Sequence, residues 1–161
     1  MTAPSGYVKI NVDAGAKEGE GTSSGMVCRN ESGAVMWGAA VVRNEWWDPS
    51  VAEAIAMWDG LDEARRRGMR KVVMESDCMQ LVEALKGRKQ GRSIFAQVID
   101  DILTLSNEFE SVLWSYTSRV NNSVAHCLAH INPRTVGRVV WSNVLPPTAQ
   151  SAVLFDISML S

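Results

Sequence analysis

Val8-Lys9-Ile10-Asn11-Val12-Asp13 alternates apolar and polar residues, the period-two pattern of a strand with one buried face. The run passes into Ala14-Gly15-Ala16-Lys17-Glu18-Gly19-Glu20-Gly21, whose glycines predict a turn. Thr22–Arg29 reads as a second strand, Asn30-Glu31-Ser32-Gly33 as a hairpin turn, and Ala34–Val42 as a third strand. These three runs predict an antiparallel meander.

Beyond it the period changes. Pro49-Ser50-Val51-Ala52-Glu53 opens a helix, with Ser50 and Glu53 spaced as a capping box, and the helix runs to about Arg67 before Gly68. Lys71–Ser76 is a short Val-containing strand, and Cys78–Lys86 a helix ending at Gly87. A longer helix is predicted over about Ser93–Asn107, a fifth strand over Val112–Thr117, and a last helix over Asn122–Ile131. Three strands followed by alternation predict an α/β fold with a mixed, five-stranded sheet and helices on both faces. The expected organisation is a flexible start over residues 1–6, a domain over 7–132, and an extension over 133–161 that packs on it.

At 161 residues the chain fits one such domain, with an apolar fraction of 46% and a charged fraction of 21%. No run of about eighteen apolar residues is present, so no membrane-spanning helix or membrane partner is expected. The first residues lack the basic start and apolar stretch of a secretory signal, which predicts an intracellular protein, nuclear or cytoplasmic. Cys28, Cys78 and Cys127 have neither paired nor metal-knuckle spacing and read as free thiols. The net charge of −2 excludes a uniformly basic nucleic-acid binder, but its distribution is uneven. Residues 65–92 carry +6 and the remainder −8, so Lys86, Arg88, Lys89 and Arg92, together with Arg65, Arg66, Arg67 and Arg70, are candidates for a phosphate-binding face.

Three carboxylates sit at predicted element ends, where chemistry is commonly placed. Asp13 ends the first strand, Glu53 lies in the first turn of the first helix, and Asp77 follows the fourth strand. Each also has a plain structural role open to it: a turn for Asp13, the capping box for Glu53, a helix cap for Asp77. If the first and fourth strands are neighbours, Asp13 and Asp77 lie together and a helix across them brings Glu53 to the same place. Carboxylates that close repel, and an all-oxygen cluster suits Mg²⁺ or Mn²⁺ rather than zinc. Two such ions can drive phosphodiester hydrolysis.

The motifs now assembled resemble the plant branch of the ribonuclease H superfamily and the ribonuclease H portions of plant retroelement polyproteins. They are Lys9-Ile10-Asn11-Val12-Asp13-Ala14, then Ala52-Glu53-Ala54-Ile55-Ala56, then Glu75-Ser76-Asp77, then Arg119-Val120-Asn121-Asn122-Ser123-Val124-Ala125-His126-Cys127-Leu128-Ala129. Trp141 with Leu145-Pro146 is similar to the tail of that branch. The resemblance implies strand order 3-2-1-4-5 and two-metal hydrolysis of the RNA strand of an RNA–DNA hybrid. By position it implies Asp13 bridging two Mg²⁺ or Mn²⁺ ions and Glu53 and Asp77 completing one of them. It also implies a basic handle, here reduced to the stretch around Gly87–Gly91.

One position departs from that pattern. The catalytic members have Asp where this chain has His126, four residues after Asn122. His126 then reads as an auxiliary ligand for softer divalent ions, as a proton shuttle, as the mark of a crippled site, or as a histidine without a role. His126 and His130 also form an i, i+4 pair with Cys127 adjacent, a weak zinc signature. Ser50 stands where an Asn that contacts the hybrid is common, while Ser23, Ser24 and Asn122 are candidates to bond phosphate or a 2′-hydroxyl. Trp46-Trp47 fits core packing or, if exposed, a stacking platform or partner site. Two functions therefore stand: a metal-dependent endonuclease on RNA–DNA hybrids, or an inactive, domesticated retroelement domain that binds nucleic acid or protein.

Overall fold

The alternating run that opens the chain becomes β1 (Val8–Lys17), which leads into β2 (Gly21–Arg29) and β3 (Val35–Arg43). The computed structural model describes residues 3–17, 19–131 and 135–160, with the side chains of residues 17 and 155–160 left undescribed. The remaining elements are α1 (Pro49–Arg66), β4 (Lys71–Ser76), α2 (Met79–Lys86), α3 (Ile94–Ser106), β5 (Ser111–Tyr116), α4 (Ser123–Ala129), β6 (Gly137–Ser142) and α5 (Pro147–Leu160). One turn of 3-10 helix, Val120–Asn122, precedes α4. Among the described residues no helix is long and apolar enough to cross a membrane.

The sheet order is β5-β4-β1-β2-β3-β6, so the expected five-strand order holds and a sixth strand is added. β1 pairs antiparallel with β2, placing Asp13 opposite Gly25, and parallel with β4, placing Asn11 opposite Glu75. β6 comes from the segment read in sequence as an arm, and pairs antiparallel with β3. Its six residues, with Val139, Val140 and Trp141 in succession, do not alternate, and what makes them a strand is the free edge of β3.

Period two decides which face each residue joins. Ile10, Val12, Met26, Cys28 and Met74 point to the face covered by α1, α2 and α3, where Met57, Leu61, Leu81, Ile99 and Ile102 complete the core. Val27 points the other way, into a smaller cluster with Val124 and Leu128 of α4 and with Leu145 and Ala149 at the start of the C-terminal arm. Each such side chain contributes about 1.5–3 kcal/mol when fully buried. Two glycines let helices approach the strands beside Asp13. A Cβ on Gly60 of α1 would stand 2.6 Å from Val12 Cγ1, and one on Gly25 would collide with the Ala125 carbonyl and the Ala129 amide of α4.

The capping box expected at Ser50 and Glu53 does not form. Asp48 is the N-cap, Pro49 supplies the first turn, and no side chain caps the helix. Proline at that position has the helical φ already and no N–H to satisfy, so the Glu53 carboxylate is left for other partners.

Candidate active site

Asp13, expected to end the first strand, lies within β1, which continues to Lys17, and projects on the face opposite the main core; Asp77 follows the end of β4, and Glu53 projects from the second turn of α1. One oxygen from each lies within 4.8 Å of the others. They line a cleft of about 250 Å³ whose other walls include Pro49, Ala52, Arg119, His126 and His130. None of the three carboxylates does the local job open to it in the sequence. Asp77 caps nothing, since Cys78 is the N-cap of α2 and the Cys78 amide is taken by Ser76 Oγ at 3.0 Å. Glu53 Oε1 accepts the Ala14 amide at 3.3 Å, while Glu53 Oε2 is buried with no hydrogen-bond partner among the described residues.

The electrostatics follow from that crowding. Burial, then the Asp13 charge, push the Glu53 carboxyl up to about 9. Asp77 is also raised, by burial and by Asp13, with Arg119 and His126 opposing the shift. Arg119 Nε stands 3.8 Å from Asp77 Oδ2, and its side chain is 90% exposed at the mouth of the cleft. His126 does not stand apart from the acids, because its Nδ1 lies 2.9 Å from Asp13 Oδ2. His130 accompanies it, with ring centroids 4.2 Å apart and His130 Nδ1 against the His126 carbonyl at 2.9 Å. Among the polar lining residues, Arg119 and His130 are the two that sequence reading did not assign to this site. Arg119 was legible only as part of a motif, and His130 only as half of a weak zinc signature.

A family model described as reverse transcriptase-like matches residues 11–131. The chain belongs to this family. Its fold is ribonuclease H-like, as solved structures show. The reverse transcriptase-like chain aligns with RNase H1 from the halophilic archaeon Halobacterium salinarum at a TM-score of 0.70 and 17% identity, over 76% of this chain and 93% of that one. An N-terminal RNase H domain from Mycobacterium tuberculosis, solved as a maltose-binding-protein fusion, gives 0.69 and 18%, over 96% of this chain and 99% of that one. LC11-RNase H1 in complex with an RNA/DNA hybrid gives 0.67 and 20%, over 75% and 92%. No curated protein matches the sequence.

Three residues expected as nucleic-acid contacts are buried. Ser23 is 3% exposed and its hydroxyl donates to the Ala129 carbonyl, while Ser24, 1% exposed, donates to Asp59 Oδ2 at 2.6 Å. Asn122 is 1% exposed and donates to the Val12 carbonyl at 2.8 Å. All three are consumed inside the protein, because the strand and turn that carry them lie under α4 or α1.

The basic stretch divides. Arg65 and Arg66 pair with Asp62, Arg67 with Glu63, and Arg70 with Glu110. The C-terminal end of α1 lies about 20 Å along the helix from Glu53 at 1.5 Å per residue. Lys86, the last residue of α2, and Arg88, Lys89 and Arg92 on the loop between α2 and α3 are exposed. The tryptophan pair divides too, with Trp47 packed against the core and Trp46 43% exposed. Among the described residues the acidic trio is the single cluster suited to a metal, and the His126–Cys127–His130 group is not one.

Proposed function

We propose that the chain is a metal-dependent endonuclease that hydrolyses the RNA strand of RNA/DNA hybrids. The observation that carries this reading is the convergence of Asp13, Glu53 and Asp77, from three separate elements, to within 4.8 Å. The donor set fits hard divalent cations, since it is all oxygen and includes a buried Glu53 Oε2 without a partner among the described residues. Asp13, Glu53 and Asp77 would hold Mg²⁺ or Mn²⁺. Bound there, a pair of such ions supplies an activated water and charge for the leaving oxygen of a phosphodiester.

The chain's own residues perform the rest. Glu53, raised to about 9, carries a proton at neutral pH and gives it up before its carboxylate can ligate. His126 holds Asp13 Oδ2 through Nδ1, which leaves Nε2 for a water or a phosphate oxygen. Arg119, exposed at the mouth of the cleft, would meet a backbone phosphate, and the exposed Lys86, Arg88, Lys89 and Arg92 would meet others. The substrate class is supported by the fold shared with LC11-RNase H1, which is solved in complex with an RNA/DNA hybrid.

A second reading is a module that binds nucleic acid without cutting it. It is favoured by His126, because imidazole is a poor Mg²⁺ ligand where the resemblance implies a carboxylate. Cleavage of a labelled hybrid in Mg²⁺ and in Mn²⁺, by wild type and by Asp13→Asn, separates the two. The nuclease reading expects wild type to cut, faster in Mn²⁺, and a folded Asp13→Asn not to cut. Equal cleavage by both proteins sinks it. Binding without cleavage by both leaves the second reading, and neither binding nor cutting leaves a protein-interaction module.

A further inference from the structure

Two residues below the carboxylates, on the same face of the sheet, lies a buried polar chain. Ser115 Oγ of β5 donates to Glu75 Oε1 at 3.0 Å, and Asn11 Nδ2 of β1 donates to Glu75 Oε2 at 2.8 Å. Asn11 Nδ2 also donates to Asn122 Oδ1 at 3.1 Å, and Asn122 Nδ2 donates to the Val12 carbonyl at 2.8 Å. Lys9 Nζ stands 3.2 Å from Glu75 Oε2 and supplies the countercharge. Asn11, Glu75 and Asn122 are 5%, 3% and 1% exposed, so none of these groups has water as an alternative partner.

What singles out Asn122 is the bond it does not make. It is the N-cap of α4, and an asparagine there ordinarily accepts an amide from the first turn, which stabilises a helix by about 1 kcal/mol. Asn122 makes no side-chain cap bond. Its amide group reaches back to β1 instead, to the carbonyl of Val12, the residue before Asp13. At the same time it starts the helix that carries His126 one turn later. One residue thus bonds the backbone next to Asp13 and begins the helix that carries His126.

We propose that Asn122, through the Ser115–Glu75–Asn11–Asn122 chain, is a positioning residue that fixes the placement of Asp13 and His126 in the candidate active site. The proposal rests on the nuclease reading for its metal and rate consequences. It does not rest on it for the Asp13–His126 contact, which can be measured alone. Residues that orient ligands from behind change metal affinity or activity by about 10–100-fold when removed, and Asn122 belongs to that range.

The test uses the full chain carrying Asn122→Ala, with Asn122→Asp as a same-sized variant that keeps the acceptor but loses the donor to Val12. Ile102→Ala, in the core under α3, controls for lost stability alone. Three quantities are read at a temperature where melting curves show each protein folded: Mn²⁺ affinity by titration calorimetry, hybrid cleavage in Mn²⁺, and the His126 ring nitrogens by NMR. The expected result is Mn²⁺ binding weakened about 10–100-fold and kcat lowered to a similar degree with KM within about 2-fold, for the Asn122 variants only. The nitrogen signature of the bond to Asp13 should also be lost in those variants and kept in Ile102→Ala. Wild-type Mn²⁺ affinity and an unchanged His126 signature in the Asn122 variants overturn the proposal and make Asn122 a packing residue. If Asn122→Ala does not fold, the same readings on Asn122→Asp decide. If wild type neither binds Mn²⁺ nor cuts, the nuclease reading fails. The His126 signature then still supports or overturns the positioning role.

Discussion

Glu53 carries a proton that its unfolded counterpart would give up. Burial and the Asp13 charge move its carboxyl from the ordinary 4.5 to about 9. The folded state then binds this proton more tightly than the unfolded chain, so the contribution to stability is full below about pH 4.5 and is lost as pH rises towards 9. Asp77 is shifted in the same direction. Melting of the metal-free protein should therefore fall across that window. Glu53→Gln should flatten the fall and melt higher near neutral pH by about 2–4 °C, the effect of about 1 kcal/mol in a chain of this size. Calorimetry in buffers of different ionisation enthalpy should also show proton release when Mn²⁺ binds wild type, and less of it from the variant. His126 invites the converse change. In His126→Asp a fourth carboxylate replaces the ring that now bonds Asp13, so the metal-free protein should melt lower and Mg²⁺-supported cleavage should rise. No gain in Mg²⁺ would assign His126 to a task other than standing in for a ligand.

The loop after α2 is where element geometry and charge meet. The Lys89 amide bonds the Ala84 carbonyl and the Arg88 amide the Leu85 carbonyl, closing a Schellman end in which Arg88 holds the left-handed position at φ 50. Glycine is the favoured residue there, and Arg88→Gly should stabilise the fold by up to about 1 kcal/mol. If the loop grips phosphates, the same substitution should weaken hybrid binding and reduce its salt slope by about 0.7–0.9 for each phosphate no longer neutralised. Arg65→Ala and Arg66→Ala, at the distant end of α1, should leave that slope unchanged. Binding titrations at several salt concentrations make the comparison directly. A slope that falls with the α1 arginines rather than with Arg88 would relocate the nucleic-acid face.

At the scale of the whole molecule, the C-terminal arm is a second layer of support for the site. β6 closes the β3 edge, Arg138 reaches α1 to bond Glu63 at 2.9 Å, and Leu145 and Ala149 pack on α4 behind His126. Leu145→Ala should cost about 2–5 kcal/mol as a large-to-small change at a buried position. Hydrogen exchange should show the loss first in α4, and exchange raised uniformly would mean that the arm and α4 do not form a local unit.

The sequence by itself determined the elements from β1 to α4 and their order, but not β6 or α5, because an alternating run such as Val8–Asp13 or an apolar stripe such as Ala54–Leu61 is written in neighbours a few residues apart. It also carried the acidic trio as candidates, although Asp13 lies within β1 rather than at its end. Tertiary structure decided what those neighbours could not encode. Ser23, Ser24 and Asn122 look available in sequence and are enclosed by α1 and α4. The arginines of α1 look like a binding face and are paired. Val139-Val140-Trp141 becomes a strand because β3 has an open edge, and His126 meets Asp13 across more than a hundred residues of chain. Burial, pairing and edge closure depend on which distant segment arrives at a surface. Periodicity depends only on the backbone beneath it, which is why the fold was legible in the sequence while the occupancy of its polar groups was not.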